Sequence, residues 1–349
     1  MEVRFYNSDM NFIGLMENQQ SLIWRRKFYE PGEIRMFCPL TDDNLKLTRK
    51  GNLVWKRGSN EAAVIEDRTI MDTPDESHIE VEGRFISSYM DRRLIRPTIS
   101  FSGLVEVAMR QLLTNIEYPL PRVVLGDLNG FEETVTFQAT YKNLMEYETK
   151  LSKCSEIGYR FRPDFNQKII YFETFKGTDR TISQGVNNRV IFSEMYDNLN
   201  EMTYRENDKL LKNAVYIGGD GQGDDRVFVN YGNATGLERR ELFVDARDLR
   251  QEEGMTLAEY KEKLMQRGRE KQTSYKESAT ITCVTDASAN FIYGMNYDLG
   301  DIVTVKKKGW GITVNLRITE IEEVYERGKM EIYPVFGDPI PQTIDWRDY

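Results

Sequence analysis

One histidine, His78, stands in the 349-residue chain. A Ser/His/Asp or Cys/His catalytic set would have to use it, and a multi-histidine metal site is impossible. It lies among Glu76, Ser77, Ile79 and Glu80 on a predicted strand, which reads as a surface or interface side chain. The three cysteines, Cys38, Cys154 and Cys283, are far apart and form no CxxC. No disulfide framework or zinc knuckle follows, and the usage suits a reducing compartment. No apolar run approaches the ~18 residues that read as a membrane span. Met1 to Asn11 lacks a basic stretch followed by an apolar one, so no secretory signal is expected. Basic charge is also short. Lys plus Arg is 47 against 56 for Asp plus Glu, a net −9, which argues against a general nucleic-acid binder.

What is present is enough to build a sizeable core. Nineteen Tyr, seventeen Phe and four Trp bring large buried areas. At roughly 150 residues per domain the length predicts two domains, with room for a third.

The first ninety residues read as strands. Glu33 to Cys38 alternates polar with apolar, after a turn at Pro31-Gly32. Ser21 to Trp24, Asn52 to Trp55, Ala62 to Ile65 and His78 to Val81 continue the pattern, as in a small antiparallel barrel or sandwich. Near residue 100 the period changes. Leu104, Ala108, Leu112 and Ile116 mark a helix ended by Pro119 and Pro121. Strands at 122–125 and 135–137 follow. A second helix is predicted from an N-cap at Thr140, with the stripe Leu144, Tyr147, Leu151, Cys154 and a closing Gly158. The stripe predicts that Cys154 is a buried, unreactive thiol. Strands at 159–162 and 168–172 complete an α/β unit, and 176–188 reads as a linker or loop. Further strands are predicted at 189–192, 213–217, 226–231, 241–244 and 279–283. Thr256 to Glu259 is a capping box that opens a long helix. The expected fold class is α+β, mostly β: a first β-barrel at 1–98, an α/β insertion at 99–188, and a second β-barrel at 189–349 carrying helix 256–276.

The two ends resemble each other. Gly51-Asn52-Leu53-Val54, Val64-Ile65-Glu66 and Val81-Glu82-Gly83 have counterparts in Gly300-Asp301-Ile302-Val303, Ile318-Thr319-Glu320 and Val335-Phe336-Gly337. The offset is 249 at the opening glycines and 254 from Glu66 to Glu320, so one hairpin is expected to be five residues longer.

Candidate chemistry is sparse. Gly218 to Gly223 lacks the GxGxxG order and a GK[ST], and Asp224 and Asp225 follow it, so it reads as a hairpin loop. Asp220, Asp224 and Asp225 are candidate calcium ligands, without EF-hand spacing. Arg25-Arg26-Lys27 and Arg92-Arg93 with Arg96 read as salt-bridged or subunit-contact clusters before they read as DNA contacts. No carboxylate pair stands out for glycoside hydrolysis. No catalytic, cofactor or metal residue is assigned.

Four stretches carry a family resemblance: Leu22 to Arg26 with Tyr29 to Glu33; Val81 to Phe85 with Tyr89 to Arg93; Val215 to Gly223 with Arg226; and Tyr297 to Val303. In order and spacing the chain resembles siphovirus-type phage tail-hub proteins, the N-terminal part of tail-associated lysins. The resemblance implies two tube-like β-barrels with an inserted α/β part. It also implies a homotrimer whose six barrels continue a six-fold tail tube, because a three-fold object matches a six-fold ring only by offering two similar surfaces per chain. Implied partners are a distal tail ring protein, the tape-measure terminus and a spike or fibre, with DNA passing unbound. Implied localisation is the tail of a virion or tail-like particle, made in the bacterial cytoplasm. The chain ends at Trp346 to Tyr349, short of hubs fused to hydrolases, so no lysin activity is expected. The alternatives are a cell-wall glycosidase or endopeptidase and a host-surface carbohydrate-binding module.

Overall fold

The computed structural model describes residues 1–337 except 75, 197, 199, 285–290 and 327. The N-terminal part contains β1 (Val3–Tyr6), β2 (Phe12–Met16), β3 (Ser21–Lys27), β4 (Glu33–Pro39), α1 (Asp42–Leu47), β5 (Leu53–Lys56), β6 (Ala63–Asp72) and β7 (Ser77–Phe85). The middle part contains β8 (Ile99–Leu104), α2 (Val105–Thr114), β9 (Val123–Leu125), β10 (Thr134–Ala139), α3 (Leu144–Ser155), β11 (Gly158–Asp164) and β12 (Ile169–Phe175). After it come β13 (Ile191–Ser193), β14 (Asn200–Asn207), β15 (Ala214–Gly218), β16 (Phe228–Tyr231), β17 (Glu241–Asp245), α4 (Leu257–Gln272), β18 (Ser278–Val284), β19 (Ile302–Lys307), β20 (Ile312–Glu326) and β21 (Lys329–Phe336). The fold is α+β and mostly β.

The alternation read in β3 and β4 is the observed burial. Leu22, Trp24, Ile34, Met36 and Cys38 face one core, and Ile23, Arg25, Glu33 and Arg35 face away. The α4 capping box is formed, with the Thr256 hydroxyl accepting from the Glu259 N–H and the Glu259 carboxylate accepting from the Thr256 N–H. Two local expectations are corrected. The N-cap of α3 is Asn143, whose Oδ1 accepts from the Glu146 N–H at 3.1 Å, and not Thr140. The left-handed residue that closes α3 is Glu156, at φ 56°. Gly158 instead opens β11, where a Cβ would stand 2.6 Å from the Phe28 ring.

Two buried carboxylates belong to the middle part. Glu106, in the first turn of α2, accepts from the backbone N–H of Asn129 (2.8 Å) and Gly130 (2.9 Å) and from the Thr174 hydroxyl (2.7 Å), clamping the loop after β9. Burial pushes its pKa up, but these hydrogen bonds outweigh that and hold it below the usual carboxylate range. Glu148 on α3 has no hydrogen-bond partner for either oxygen among the described residues, and burial pushes its pKa well up.

Thirteen strands form one sheet along the path β14-β18-β21-β20-β3-β4-β7-β6-β5-β1-β2, with β19 on β20 and β13 on β19. Two five-strand units repeat within it. The order β3-β4-β7-β6-β5 matches β14-β18-β21-β20-β19, and chain order matches as well. Trp24 opposes Ile34 as Tyr204 opposes Ile281, and Ile34 opposes Gly83 as Ile281 opposes Phe336. Each unit has a bulge at the same place, after Ile65 opposite Gly83 and after Ile318 opposite Phe336. Gly51 donates to the Ile65 carbonyl at 2.9 Å, and Gly300 to the Ile318 carbonyl at 2.8 Å. Both glycines have positive φ, 86° and 92°. The offset at the bulge is therefore 253, so Gly83 corresponds to Phe336, and the second hairpin is four residues longer. The sequence match, at 254, is one residue out of the structural correspondence, which is 253 on both sides of the bulge.

The first unit encloses Trp24, Met36, Val54 and Val81, and the second encloses Ile281, Val303, Ile318 and Phe336. The middle part packs α2 and α3 against β10, β11 and β12 around Leu112, Phe137, Tyr147 and Phe172. Between β14 and β18 the chain leaves to form the three-stranded sheet β16-β15-β17, covered by Tyr260 and Leu264 of α4.

Candidate functional site: the seam and faces of the continuous sheet

The two units are joined where β3 pairs antiparallel with the second half of β20, from Lys27 opposite Glu320 to Ser21 opposite Glu326. On the core side of this seam lies a polar network, buried at Arg26 and Glu61 and open to solvent at Asp298. Arg26 donates to Glu61 Oε2 (3.0 Å), Tyr293 Oη (2.8 Å) and Asp298 Oδ1 (2.7 Å). Beside it Glu323, buried, pairs with the Lys56 ammonium and accepts from the Tyr325 hydroxyl. Burial lowers the Lys56 pKa, with Glu323 opposing that shift. Burial pushes the Tyr325 and Tyr293 hydroxyls up, so both remain donors. Arg26 is paired with Glu61 and Lys56 with Glu323, which is the condition for tolerating charge away from water.

The opposite face is polar, with acids and bases interleaved. Arg25 donates to Glu33 (2.6 Å) and Glu322 (2.6 Å). Lys27 lies 3.4 Å from Glu30, Arg35 pairs with Glu80 and Glu82, and Arg84 donates to Glu66 (2.7 Å) and Asp91 (3.1 Å). A shallow open hollow of about 450 Å³ lies over these rows, between β3, β4, β6 and β7. Phosphate affinity comes from Lys and Arg free to neutralise it, and here carboxylates already do so.

The remaining sequence candidates fall as follows. Gly218 to Gly223 is the turn from β15 toward β16. Its amides are taken up internally: Gly219 N–H donates to the Val227 carbonyl (2.8 Å), Asp220 N–H to Tyr260 Oη (2.8 Å), and Gly221 N–H to Asp220 Oδ1 (2.9 Å). Arg226 folds over it, donating to the carbonyls of Gly219 (2.9 Å) and Gly218 (3.0 Å) and to Asp245 Oδ1 (2.8 Å). A Cβ on Gly218 would meet the Arg226 guanidinium at 2.6 Å, so close approach explains this glycine. Asp220 and Asp225 join no metal-ligating group among the described residues, and the Asp224 side chain lies outside them. Arg92 lies 3.8 Å from Glu66, Arg93 donates to the Tyr118 carbonyl (2.8 Å), and Arg96 to Glu117 (2.5 Å).

His78 is on β7 as the alternation predicts, but it is only 9 % exposed rather than at the surface. Its Nδ1 is 3.1 Å from Glu76 and its ring lies beside Phe37. Cys154 is half-buried, a correction to the expected full burial, although desolvation still pushes its pKa up to about 12. Sequence reasoning missed Glu61, Tyr293 and Asp298, which become one site only through long-range pairing. It also missed β1 and β2; Val3-Arg4-Phe5-Tyr6 is short but strand-prone, a usable signal.

No curated protein matches the chain. Among solved structures, the tail protein from Neisseria meningitidis MC58 superposes with TM-score 0.61 at 13% identity, covering 97% of this chain and 96% of that one. Prophage tail protein gp18 from Listeria monocytogenes EGD-e gives 0.57 at 11% identity, covering 97% and 95%. The 43 kDa tail protein of prophage MuSo2 from Shewanella oneidensis gives 0.56 at 12% identity, covering 96% and 98%. These likenesses establish a shared fold. The family profile described as Siphovirus ReqiPepy6 Gp37-like protein matches residues 2–338. Over that span the chain belongs to the Siphovirus ReqiPepy6 Gp37-like family and has the fold of phage tail proteins.

Proposed function

We propose that the protein is a structural hub of a phage tail or tail-like particle, a homotrimer that adapts a six-fold tube to a three-fold tip. The observation that carries this reading is the repeat: the same five strands in the same sheet order, twice in one chain. Each unit would supply one tube-like barrel, within the division 1–98, 99–188 and 189–349. Three chains would then present six similar surfaces, the number a six-fold ring requires. Its partners would be a distal tail ring protein, the tape-measure terminus and a spike or fibre. The polar sheet face would line the conduit and let DNA pass, its bases already paired with carboxylates. The role is assembly and passage, without hydrolysis.

The test mixes the protein with its neighbouring ring protein and images the product, alongside its mass in solution. Three-fold rings with a central channel support the hub. Cell-wall hydrolysis by this chain alone, with no ring under any condition, overturns it.

A further inference from the structure

The seam between β20 and β3 has a second, empty counterpart. In the first unit β6 corresponds to β20, and in the second β14 corresponds to β3. The second half of β20 pairs with β3, but among the described residues the second half of β6, Asp67–Asp72, pairs with β7 on one side only. Strand β14 pairs with β18 alone and ends the sheet among the described residues. Each chain therefore carries both halves of one unformed seam at separate places.

We infer that Asp67–Asp72 of one chain pairs antiparallel with Asn200–Asn207 of the next, in the register of the internal seam. This rests on the hub reading, and it specifies the surface by which the chains join. The repeat fixes the register. Glu323 opposes Trp24 in the formed seam; their counterparts are Ile70 and Tyr204. The same step places Arg68 opposite Glu206 and Asp67 opposite Asn207.

The chemistry of the two edges fits. Ile70 is 44% exposed although its neighbours across β7, Ile79 and Val81, are fully buried. Tyr204 is half-buried beside Ile281. Joining the strands covers Ile70 with an aromatic ring, a favourable cross-strand pair. Arg68 meets Glu206 with opposite charge. Both open edges carry unpaired backbone donors and acceptors, which a strand from another chain satisfies. Intrachain and interchain seams would then alternate around the assembly, and neither half of this seam would stay open.

The test is a pair of cysteines in the full chain, Ile70→Cys with Tyr204→Cys, oxidised under assembly conditions and run without reductant. The single variants control for the native thiols. Ile70→Cys with Glu206→Cys, two residues out of register, is the comparison. A covalent three-chain species from the first pair, much reduced in the second, is the expected result. A second arm needs no disulfide: Arg68→Glu lowers the assembled fraction, and adding Glu206→Arg restores it. A native mass of three chains with no cross-link and no charge-swap rescue overturns the pairing and leaves the hub standing. A protein that stays monomeric, even with its ring neighbour, overturns both.

Discussion

Ile65 and Ile318 occupy the same point of the same bulge, 253 positions apart, each the last paired residue before the extra one. Both are fully buried, one in each unit's core. Ile65→Ala and Ile318→Ala are therefore expected to destabilise by similar amounts, about 2–5 kcal/mol each. Denaturant unfolding of the two variants checks this. A large loss at one and none at the other would mean that the cores are not equivalent.

Arg26 joins the units through Glu61, Tyr293 and Asp298. Arg26→Met removes one charge and leaves the buried Glu61 carboxylate unpaired, while Asp298 is exposed to water. The expected cost is about 3–5 kcal/mol, the range for breaking a buried pair from one side. Equilibrium unfolding reads it, and a neutral result would show that water reaches Glu61 as well.

Glu106 and Glu148 should make stability depend on pH in opposite directions. The Glu106 pKa is held down in the fold. Its contribution is present above the ordinary carboxylate range and is lost as pH falls through the folded value. Glu106→Gln should cost about 2–3 kcal/mol at pH 7 and less under acid conditions.

The Glu148 pKa is pushed up in the fold. Its contribution is present below the ordinary carboxylate value and is lost as pH rises through the folded one. Glu148→Met should raise the melting temperature at pH 8 and change it little at pH 4. Thermal scans across that range check both carboxylates, and a flat difference from wild type would contradict the assignment.

Leu151 and Cys154 share one face of α3. Leu151→Ala should cost about 2–5 kcal/mol, because Leu151 is buried in the middle core. Burial pushes the Cys38 thiol up to about 11 and those of Cys154 and Cys283 up to about 12. All three should label slowly in the native protein and rapidly in denaturant. Fast native labelling of Cys154 would show that its half-open side admits the reagent.

Much of the fold was legible because alternation and helical period are local. Glu33 to Cys38 announced β4, Thr256 to Glu259 announced α4, and Gly51 and Gly300 marked matching turns. The α3 cap was misplaced because Thr140 and Asn143 are both good cap residues, and tertiary packing chose between them. The seam was illegible for a different reason. Arg26 and Asp298 are 272 positions apart. A run such as Arg25-Arg26-Lys27 looks the same in sequence whether it faces water or is buried. The division of that run, Arg25 outward and Arg26 inward, exists only once β3 has neighbours on both sides.

The excursion that forms β15, β16, β17 and α4 leaves the sheet between β14 and β18, where the first unit has only the short turn from β3 to β4. The two units are thus alike in their sheet and unlike at one corner. In any closed ring built from both, that corner would be ornamented at every second position. The inner wall would keep one symmetry while the periphery has half of it, so the periodicity a neighbour meets would depend on the side from which it docks.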